Sequence, residues 1–372
     1  MKRVLIATEN LNCGGVEKCL IELLNNMNYE KHSIDLLLFN EIGTLLSEVN
    51  KNVNIKYIIP NKKYKNRFIN KIYKSIKTRI LRRYPKAINI ELRNYKYEVE
   101  IAYMHGYTTK LVSSIKSNAK KIAWIHTDIS KCEVAKSYKL DEVLYKFDDI
   151  VCVSYGVKES VDKLSSEISK RTKVIYNIID KEKIERLAKD KINYEFKENT
   201  IIGVGRFYKV KRFDLLIKAH KLLLDDGIKN NLILVGYGDA EEEYKKIIKE
   251  LNLGDTVDIV GFKENPYPYI YNSDIFVLSS DHEGLPTVIC EAMTLGKPIV
   301  ATKCSGAEEL INKNRHGILC ECGSEESIKE GIKKILTDNV IKEKLHQNNK
   351  ERGEIFNNKK IINEIYLTLF NS

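Results

Sequence analysis

The 372-residue chain contains no run of 18 consecutive apolar residues, so no segment qualifies as a membrane-spanning helix. With 6 prolines and 19 glycines it is neither collagen-like nor dominated by linkers. Its 8 cysteines include no C-x-x-C pair and lie mostly inside apolar runs. That pattern reads as small buried hydrophobes rather than as a disulfide framework or a structural metal site. Met1, Lys2 and Arg3 have the charge of a secretory signal, but the apolar stretch behind them ends at Ala7 and gives way to Thr8, Glu9 and Asn10. A cytoplasmic protein is therefore expected. The dinucleotide fingerprint G-x-G-x-x-G, the P-loop, H-E-x-x-H, G-x-S-x-G and the EF-hand loop are all missing, which weighs against nicotinamide, P-loop, zincin, hydrolase and calcium chemistry. D-x-D is missing too, so a bound diphosphate would have to be neutralised by side chains rather than by a metal ion.

What is present is a rhythm. Short apolar runs recur at Val4–Ala7, Ile34–Phe39, Val53–Ile58, Val99–Tyr103, Ile122–Ile125 and Ile150–Val153, and a second series follows at Ile201–Val204, Leu232–Val235, Val257–Val260, Ile275–Leu278 and Ile299–Ala301. Runs of this length without clean alternation suit strands buried on both faces of a parallel sheet. Helical stripes lie between them, for example Leu215, Leu216, Ala219, Leu222 and Leu223. The spacing predicts two doubly wound α/β domains in tandem. A charged stretch between Ile175 and Glu195 marks the boundary, and the expected division is 1–178, 179–355 and a terminal helix over 356–372.

In parallel α/β sheets ligands gather beyond the carboxyl ends of the strands, so the residues that follow each strand carry the candidate chemistry. Gly14 and Gly15 follow the first run and precede an amphipathic helix; they suit a close ligand approach and equally a plain tight turn. Gly205, Arg206 and Lys211 follow the first strand of the second half, with Lys211 expected at the start of the next helix. Two fixed cations there would clamp a diphosphate, although an isolated R-x4-K also suits a solvated basic turn. The sharpest feature is Glu283, Gly284, Leu285, Pro286 and Thr287 with Glu291 behind them, directly after the strand ending at Leu278. Pro286 is expected in the first helical turn and Glu291 about two turns in, with free N–H groups around Leu285 to Val288 facing an anion. Carboxylates beside an anion site are unfavourable unless they hydrogen-bond sugar hydroxyls, Glu283 to a hexose and Glu291 to a ribose. His126 ends the strand Ile122–Ile125 on the expected ligand edge, where a structural histidine is equally at home. Trp124, the only tryptophan, reads as core.

These residues together resemble those of the retaining, metal-independent glycosyltransferases of the GT-B fold, family 4, of the glycosyl transferases group 1 type. The resemblance spans essentially the whole chain and is most specific from Gly203 to Gly296. It implies an α/β GT-B fold, with two tandem Rossmann-like doubly wound parallel-sheet domains facing across a cleft: an acceptor domain, then a nucleotide-sugar domain. Gly205, Arg206, Lys211 and Asp214 are similar to the family's phosphate clamp. Glu283, Gly284, Leu285 and Pro286 with Glu291 match its E-x7-E motif, and Gly14 with Gly15 its N-terminal glycine loop. Trp124, Ile125 and His126 resemble its donor-side histidine strand, and Val260, Gly261 and Phe262 fall where relatives pass the nucleobase. Asn177, Ile178, Ile179 and Asp180 depart from the Asn-Gly of many relatives at the crossover.

The resemblance implies retaining transfer of a hexose or N-acetylhexosamine from a nucleotide diphosphate sugar, with UDP as the nucleotide. The acceptor would be a hydroxyl of a lipid-linked saccharide, in bacterial surface polysaccharide or capsule synthesis. No cofactor and no metal are expected. A nucleotide-sugar 2-epimerase or hydrolase on the same scaffold is the alternative within enzymes, and a non-catalytic membrane-surface protein the alternative outside them.

The formal net charge of +11 is concentrated. Thirteen Lys and Arg between Lys62 and Lys96 face one acid, Glu91, which leaves the rest of the chain about neutral. Within this stretch Ile69, Ile72, Tyr73, Ile76 and Ile80 share one helical face, amid Lys71, Lys74, Lys77 and Arg79, with Tyr64, Phe68 and Tyr84 interleaved. Segment 62–96 therefore reads as a basic amphipathic helix that seeks an anionic membrane surface. A helix packed on its own domain with a solvated basic side fits the same pattern. No nucleic-acid-binding motif accompanies the charge, so no nucleic-acid partner is expected. The implied location is peripheral, on the inner face of the plasma membrane.

Overall fold

The computed structural model describes residues 1–12, 14–61, 66–356 and 358–370. Contacts divide the chain into two compact units, Met1–Ile178 with Asn358–Ser372 and Ile179–Asn357. Among the described residues of the first are the strands β1 (Lys2–Thr8), β2 (His32–Asn40), β3 (Asn54–Ile59), β4 (Val99–Ala102), β5 (Lys120–Ile125), β6 (Asp149–Cys152) and β7 (Thr172–Val174). They form one sheet in the order β3-β2-β1-β4-β5-β6-β7, with every pairing parallel. The second unit repeats the plan with β8 (Thr200–Val204), β9 (Asn231–Val235), β10 (Val257–Gly261), β11 (Ile275–Leu278), β12 (Ile299–Thr302) and β13 (Ile318–Cys320). Their order is β10-β9-β8-β11-β12-β13, again all parallel.

Both units thus have the doubly wound arrangement that the alternating runs predict. Val4, Leu5 and Ile6 of β1 are buried in succession, as are Ile201, Ile202 and Val204 of β8, because helices cover both faces of each sheet. The helix Phe213–Asp225 packs against Glu325–Thr337, and Thr287–Thr294 against Asn339–Gly353. The sequence reading missed β7 and β13. Each has three residues, too few for an apolar run to stand out.

Asp180 caps the helix Lys181–Leu187, its Oδ1 accepting from the Lys183 N–H at 2.9 Å, so the departure at the crossover supplies a helix start. The last helix, Asn358–Phe370, belongs to the first unit. It buries Ile361, Ile365 and Leu369 at i, i+4 and i+8, and Phe370 stacks on His32 with ring centroids 4.0 Å apart. Lys120 Nζ also donates to the Thr368 carbonyl at 2.8 Å.

Candidate active site

In the second unit the carboxyl ends of β8, β9, β11 and β12 release loops that are stitched to one another. After β8 the Gly205 N–H donates to the Val235 carbonyl at 3.0 Å and the Phe207 N–H to the Tyr237 carbonyl at 2.7 Å. The chain then makes a 3₁₀ turn, Lys209–Lys211, and only afterwards starts the helix Phe213–Asp225. Lys211, expected at the start of the helix, therefore sits in the turn that leads into it, two residues before Phe213. Arg212 follows in the left-handed region at φ 50°. Ser279 Oγ, just past β11, donates to the Lys211 carbonyl at 2.7 Å, and the Asp281 N–H to the Val210 carbonyl at 2.9 Å. Glycine is essential where backbones meet: a Cβ on Gly236 would lie 1.8 Å from the Gly205 oxygen. One on Gly306 would lie 2.3 Å from the Gly284 oxygen.

This scaffold brings Lys211 and Glu283 together. Lys211 Nζ donates to Glu283 Oε1 at 2.5 Å, and the same oxygen accepts from Ser280 Oγ at 2.8 Å. Both side chains are mostly buried, at 21% and 16% exposure. Ser305 Oγ donates to the Glu283 carbonyl at 3.2 Å, tying the loop after β11 to the loop after β12. The neighbouring Arg212 is committed elsewhere. It grips both oxygens of Asp214 at 3.1 Å and reaches Asp281 at 3.2 Å, and these bonds hold its guanidinium above its ordinary pKa. Of these adjacent cations, Lys211 is the one the fold sets opposite Glu283. Arg206 is half-buried in the same loop, its guanidinium 5.8 Å from the Tyr208 ring centroid. Gly205 completes the loop, where a Cβ would meet Lys211 Cε at 3.6 Å. Cys304, after β12, has its thiol pushed up to about 12 by burial and then by the Glu283 charge. It is a protonated thiol, unsuited to nucleophilic attack.

Gly284, Leu285 and Pro286 are buried, and Pro286 occupies the N-cap of the helix Thr287–Thr294 rather than its first turn. Thr287 opens the helix, and Glu291 is its fifth residue, little more than one turn in rather than two. Glu291 is buried. The helix closes at Gly296, in the left-handed region at φ 67°. At the ends of β9 and β10, Tyr237 and Phe262 form an edge-to-face pair with centroids 5.4 Å apart, and both are exposed. Ser305, Gly306 and Tyr237 escaped the sequence reading. Their signal was position, since each follows the carboxyl end of a strand.

The first unit carries the remaining candidates at the carboxyl edge of its own sheet. Gly14 is the extended N-cap of the helix Gly15–Asn25, with no side-chain cap. His126, directly after β5, is buried. Burial, then the nearby His105, pushes its pKa down to about 3, with the Tyr103 backbone opposing. His105, after β4, is pushed down to about 4 by burial, and its Nε2 lies 3.6 Å from Cys132 Sγ. Both imidazoles are neutral at physiological pH and can orient a hydroxyl but not protonate one. Burial also raises the Glu9 carboxyl after β1, with the charge of Arg82 opposing. Trp124 is core, 5.1 Å from the Tyr103 ring. Among the described cysteines, expected to be buried, Cys132 is half-buried and Cys322 exposed.

The basic segment forms the helix Arg67–Arg83, capped by Asn66, whose side chain accepts from the N–H groups of Phe68 and Ile69. Lys62, Lys63, Tyr64 and Lys65 lie outside the described residues. Phe68, Ile69, Ile72, Ile76 and Ile80 are 43–71% exposed, whereas Tyr73, expected on the same face, is half-buried. Among the described residues no helix is long and apolar enough to cross a membrane. Nor is any group of three or more His, Cys, Asp or Glu placed to hold a metal ion.

Residues 184–352 match the family model "Glycosyl transferases group 1". A Campylobacter jejuni N-acetylgalactosamine-N,N'-diacetylbacillosaminyl-diphospho-undecaprenol 4-alpha-N-acetylgalactosaminyltransferase is 28% identical over 368 residues, 97% of each chain. The lipopolysaccharide core biosynthesis glycosyltransferase LpsE of Rhizobium meliloti is 27% identical over 60% of this chain and 64% of its own. Among solved structures, Anabaena HepE in complex with UDP and glucose superposes with a TM-score of 0.78 at 19% identity, covering 99% of both chains. With this match over the loops just described, the second unit is similar to the glycosyl transferases of group 1, and the paired parallel sheets share the fold of HepE.

Proposed function

We propose that the chain is a retaining, metal-independent transferase of family 4. It moves a hexose or N-acetylhexosamine from a UDP-sugar to a hydroxyl of a lipid-linked saccharide during synthesis of a bacterial surface glycan. The carrying observation is the Lys211–Glu283 pair, held by Ser280 beside the mouth of the helix Thr287–Thr294. Lys211 and Arg206 neutralise charge that grows on the leaving diphosphate, the electrostatic effect that dominates reactions of this kind. The N–H groups of Leu285, Thr287 and Val288 add donors at the helix start. Glu283 accepts from a hexose hydroxyl once the donor's phosphates take over Lys211, and Glu291 accepts from the ribose. Phe262 and Tyr237 offer an apolar surface to the base. His126, as a neutral imidazole, orients a donor-sugar hydroxyl. With the nearby Cys304 thiol protonated, a leaving-phosphate oxygen takes the acceptor proton on the face from which the nucleotide departs. That same-face geometry accounts for retention.

The Campylobacter relative is named for a diphospho-undecaprenol acceptor, and HepE was solved with UDP and glucose, which supports the acceptor class and the nucleotide. Exposed isoleucines beside lysines and arginines on the helix Arg67–Arg83 support a peripheral location at the cytoplasmic face of the membrane.

The test incubates the protein with UDP-hexoses and a lipid-linked saccharide in EDTA and reads the anomeric configuration of the product by NMR. Retention at undiminished rate is expected. An inverted product or loss of activity in chelator overturns the mechanism. Conversion of the donor to its 2-epimer without acceptor would establish the epimerase alternative instead. A melting-temperature panel of UDP-, GDP- and ADP-sugars identifies the nucleotide, since only a binder stabilises the fold by mass action.

A further inference from the structure

Two of the cysteines converge on the loop that carries Glu283. β12 and β13 pair in parallel with Thr302 opposite Cys320, and the Lys303 N–H donates to the Cys320 carbonyl at 2.8 Å. The register runs on past the sheet, since the Lys303 ammonium pairs with the Glu321 carboxylate. One residue further, Cys304 falls opposite Cys322, and side chains at matched positions of neighbouring strands share a face. Adjacent strands stand about 4.8 Å apart, inside the Cα separation of roughly 4.4–6.8 Å that a disulfide spans.

The side-chain contacts bring both sulfurs to the same loop. Cys322 Sγ donates to the Asp281 carbonyl at 3.8 Å. Burial dominates the environment of the Cys304 thiol, but the charges of Glu283, Cys322 and Lys211 also reach it. The segment Asp281–Glu283 thus has one sulfur beside it from the loop after β12 and another from the loop after β13. The two differ in what can reach them, because Cys322 is exposed and Cys304 buried. An exposed sulfur backed by a buried one allows a first oxidation product to be trapped before it is oxidised further. Cys320 is turned elsewhere. It is buried, a Cβ on Gly331 would lie 2.8 Å from its sulfur, and it bonds the Ser327 side chain.

We propose that Cys304 and Cys322 are a modification site, joined as a disulfide by peroxide, and that the bond couples oxidation to the Glu283 loop. Cys322 Sγ, its proton given up to water, attacks one oxygen of hydrogen peroxide. The O–O bond breaks, leaving a sulfenic acid on Cys322 and, after protonation, one water. The Cys304 sulfur then bonds to Cys322 Sγ and expels the hydroxyl, which departs as a second water with the Cys304 proton. Two thiols lose two electrons and one peroxide becomes two waters. Because Cys304 rests as a protonated thiol, this second step is the slower one. The bond removes the S–H that donates to the Asp281 carbonyl. It also pulls on the residue directly before Ser305, whose hydroxyl holds the Glu283 carbonyl, and Gly306, which packs on the Gly284 oxygen. A weaker grip on the nucleotide follows if this loop is the donor site, so that consequence rests on the proposed function, whereas the bond itself does not.

The experiment treats the full-length protein with hydrogen peroxide and maps its cysteines by mass spectrometry of proteolytic peptides. The wild type is expected to give a peptide joined through Cys304 and Cys322, two hydrogens lighter than its parts, which dithiothreitol separates. Cys320→Ala should still form the bond and Cys322→Ser should not. In Cys304→Ser the sulfenic acid should persist on Cys322 and be captured by dimedone. Oxidised wild type should bind UDP at least fivefold more weakly than the reduced protein by isothermal titration, with recovery on reduction. Peroxide should leave the UDP affinity of Cys322→Ser unchanged. Melting curves check that each variant folds. A wild type that forms no joined peptide, or joins Cys304 through Cys320, overturns the proposal. Equal UDP affinity in the oxidised and reduced wild type refutes the coupling to the loop. If the bond forms but neither state binds UDP or any other nucleotide, the thiol pair stands and the donor-site reading falls.

Discussion

Replacing Lys211 by alanine separates the catalytic role of its charge from its structural role. In the folded protein its ammonium is 2.5 Å from Glu283 Oε1, with the two side chains 21% and 16% exposed. A pair this accessible is partly screened, so its loss is worth about 1 kcal/mol of stability, near the upper end for exposed pairs. In a unit of this size that lowers the melting temperature by roughly 2–4 °C. The transition state feels the change far more. A fixed donor on a developing oxyanion contributes about 2.7–4 kcal/mol, so kcat should fall roughly 100- to 1,000-fold. Glu283→Ala should also lower turnover strongly. The double variant should lose less than the product of the two single losses, because each single change leaves an uncompensated charge in the loop. Initial-rate kinetics with melting curves on the three proteins supply the numbers. A Lys211→Ala enzyme within threefold of wild-type kcat would refute the reasoning, as would strictly multiplicative losses.

Gly306→Ala should cost about 1–3 kcal/mol and weaken donor binding, because its Cβ would meet the Gly284 carbonyl, a backbone atom. Gly227→Ala is the control, with nothing within 4 Å and only the strain of φ 78°; equal effects on donor affinity would contradict the steric account. Phe262→Ala should raise the donor KM several-fold and leave kcat near wild type, since the exposed Tyr237–Phe262 pair would hold the base and not the reacting bond. His126 and His105, held down to about 3 and about 4, bind fewer protons folded than in an unfolded chain, where histidine titrates near 6.5. Their contribution to stability is therefore intact above pH 6.5 and declines as pH falls toward 4, by about 1.4 kcal/mol per pH unit for each imidazole. Urea unfolding at pH 6.5 and 5 should show a smaller slope, by about one proton, for His126→Asn; an unchanged slope rejects it.

The doubly wound plan was legible because strands covered on both faces leave continuous apolar runs, as at Val4–Ala7 and Ile201–Val204. Three-residue strands at the sheet edge leave no such trace, which is why Thr172–Val174 and Ile318–Cys320 escaped. In the second unit, strand ends and spacing picked out Lys211, Glu283 and Glu291. Spacing could not show that Lys211 pairs with Glu283 or that Ser280 shares the same oxygen. The Lys211–Glu283 contact joins loops 72 residues apart, and only the parallel order of β8 beside β11 makes them neighbours. Nor could it show the commitment of Arg212 to two aspartates, which removes a cation that the sequence sets beside Lys211. The basic helix was ambiguous for a different reason. A hydrophobic stripe has the same period whether it packs inward or stays exposed, and here Leu81 and Tyr73 take the packing side while the isoleucines remain outside.

The acidic half of the Lys211–Glu283 pair bears on the chemistry as much as the basic half. A lone cation in this loop would be stable only if well hydrated, and hydration is what a diphosphate must displace. Glu283 keeps Lys211 extended and partly desolvated before the donor arrives, with Ser280 Oγ fixing the carboxylate in turn. A phosphate then replaces one anionic partner by another, so the cation is not stripped of water at the moment of binding. On the proposed reading the displaced carboxylate, at the helix mouth, would accept from a hexose hydroxyl instead of opposing the nucleotide. On that argument Glu283→Gln, which keeps the shape but not the charge, should leave Lys211 more mobile and better hydrated. Donor affinity should then change little, because the lost repulsion offsets the lost preorganisation, while kcat falls at least tenfold. A variant that binds the donor tenfold more tightly at wild-type kcat would show that Glu283 merely opposes the phosphates.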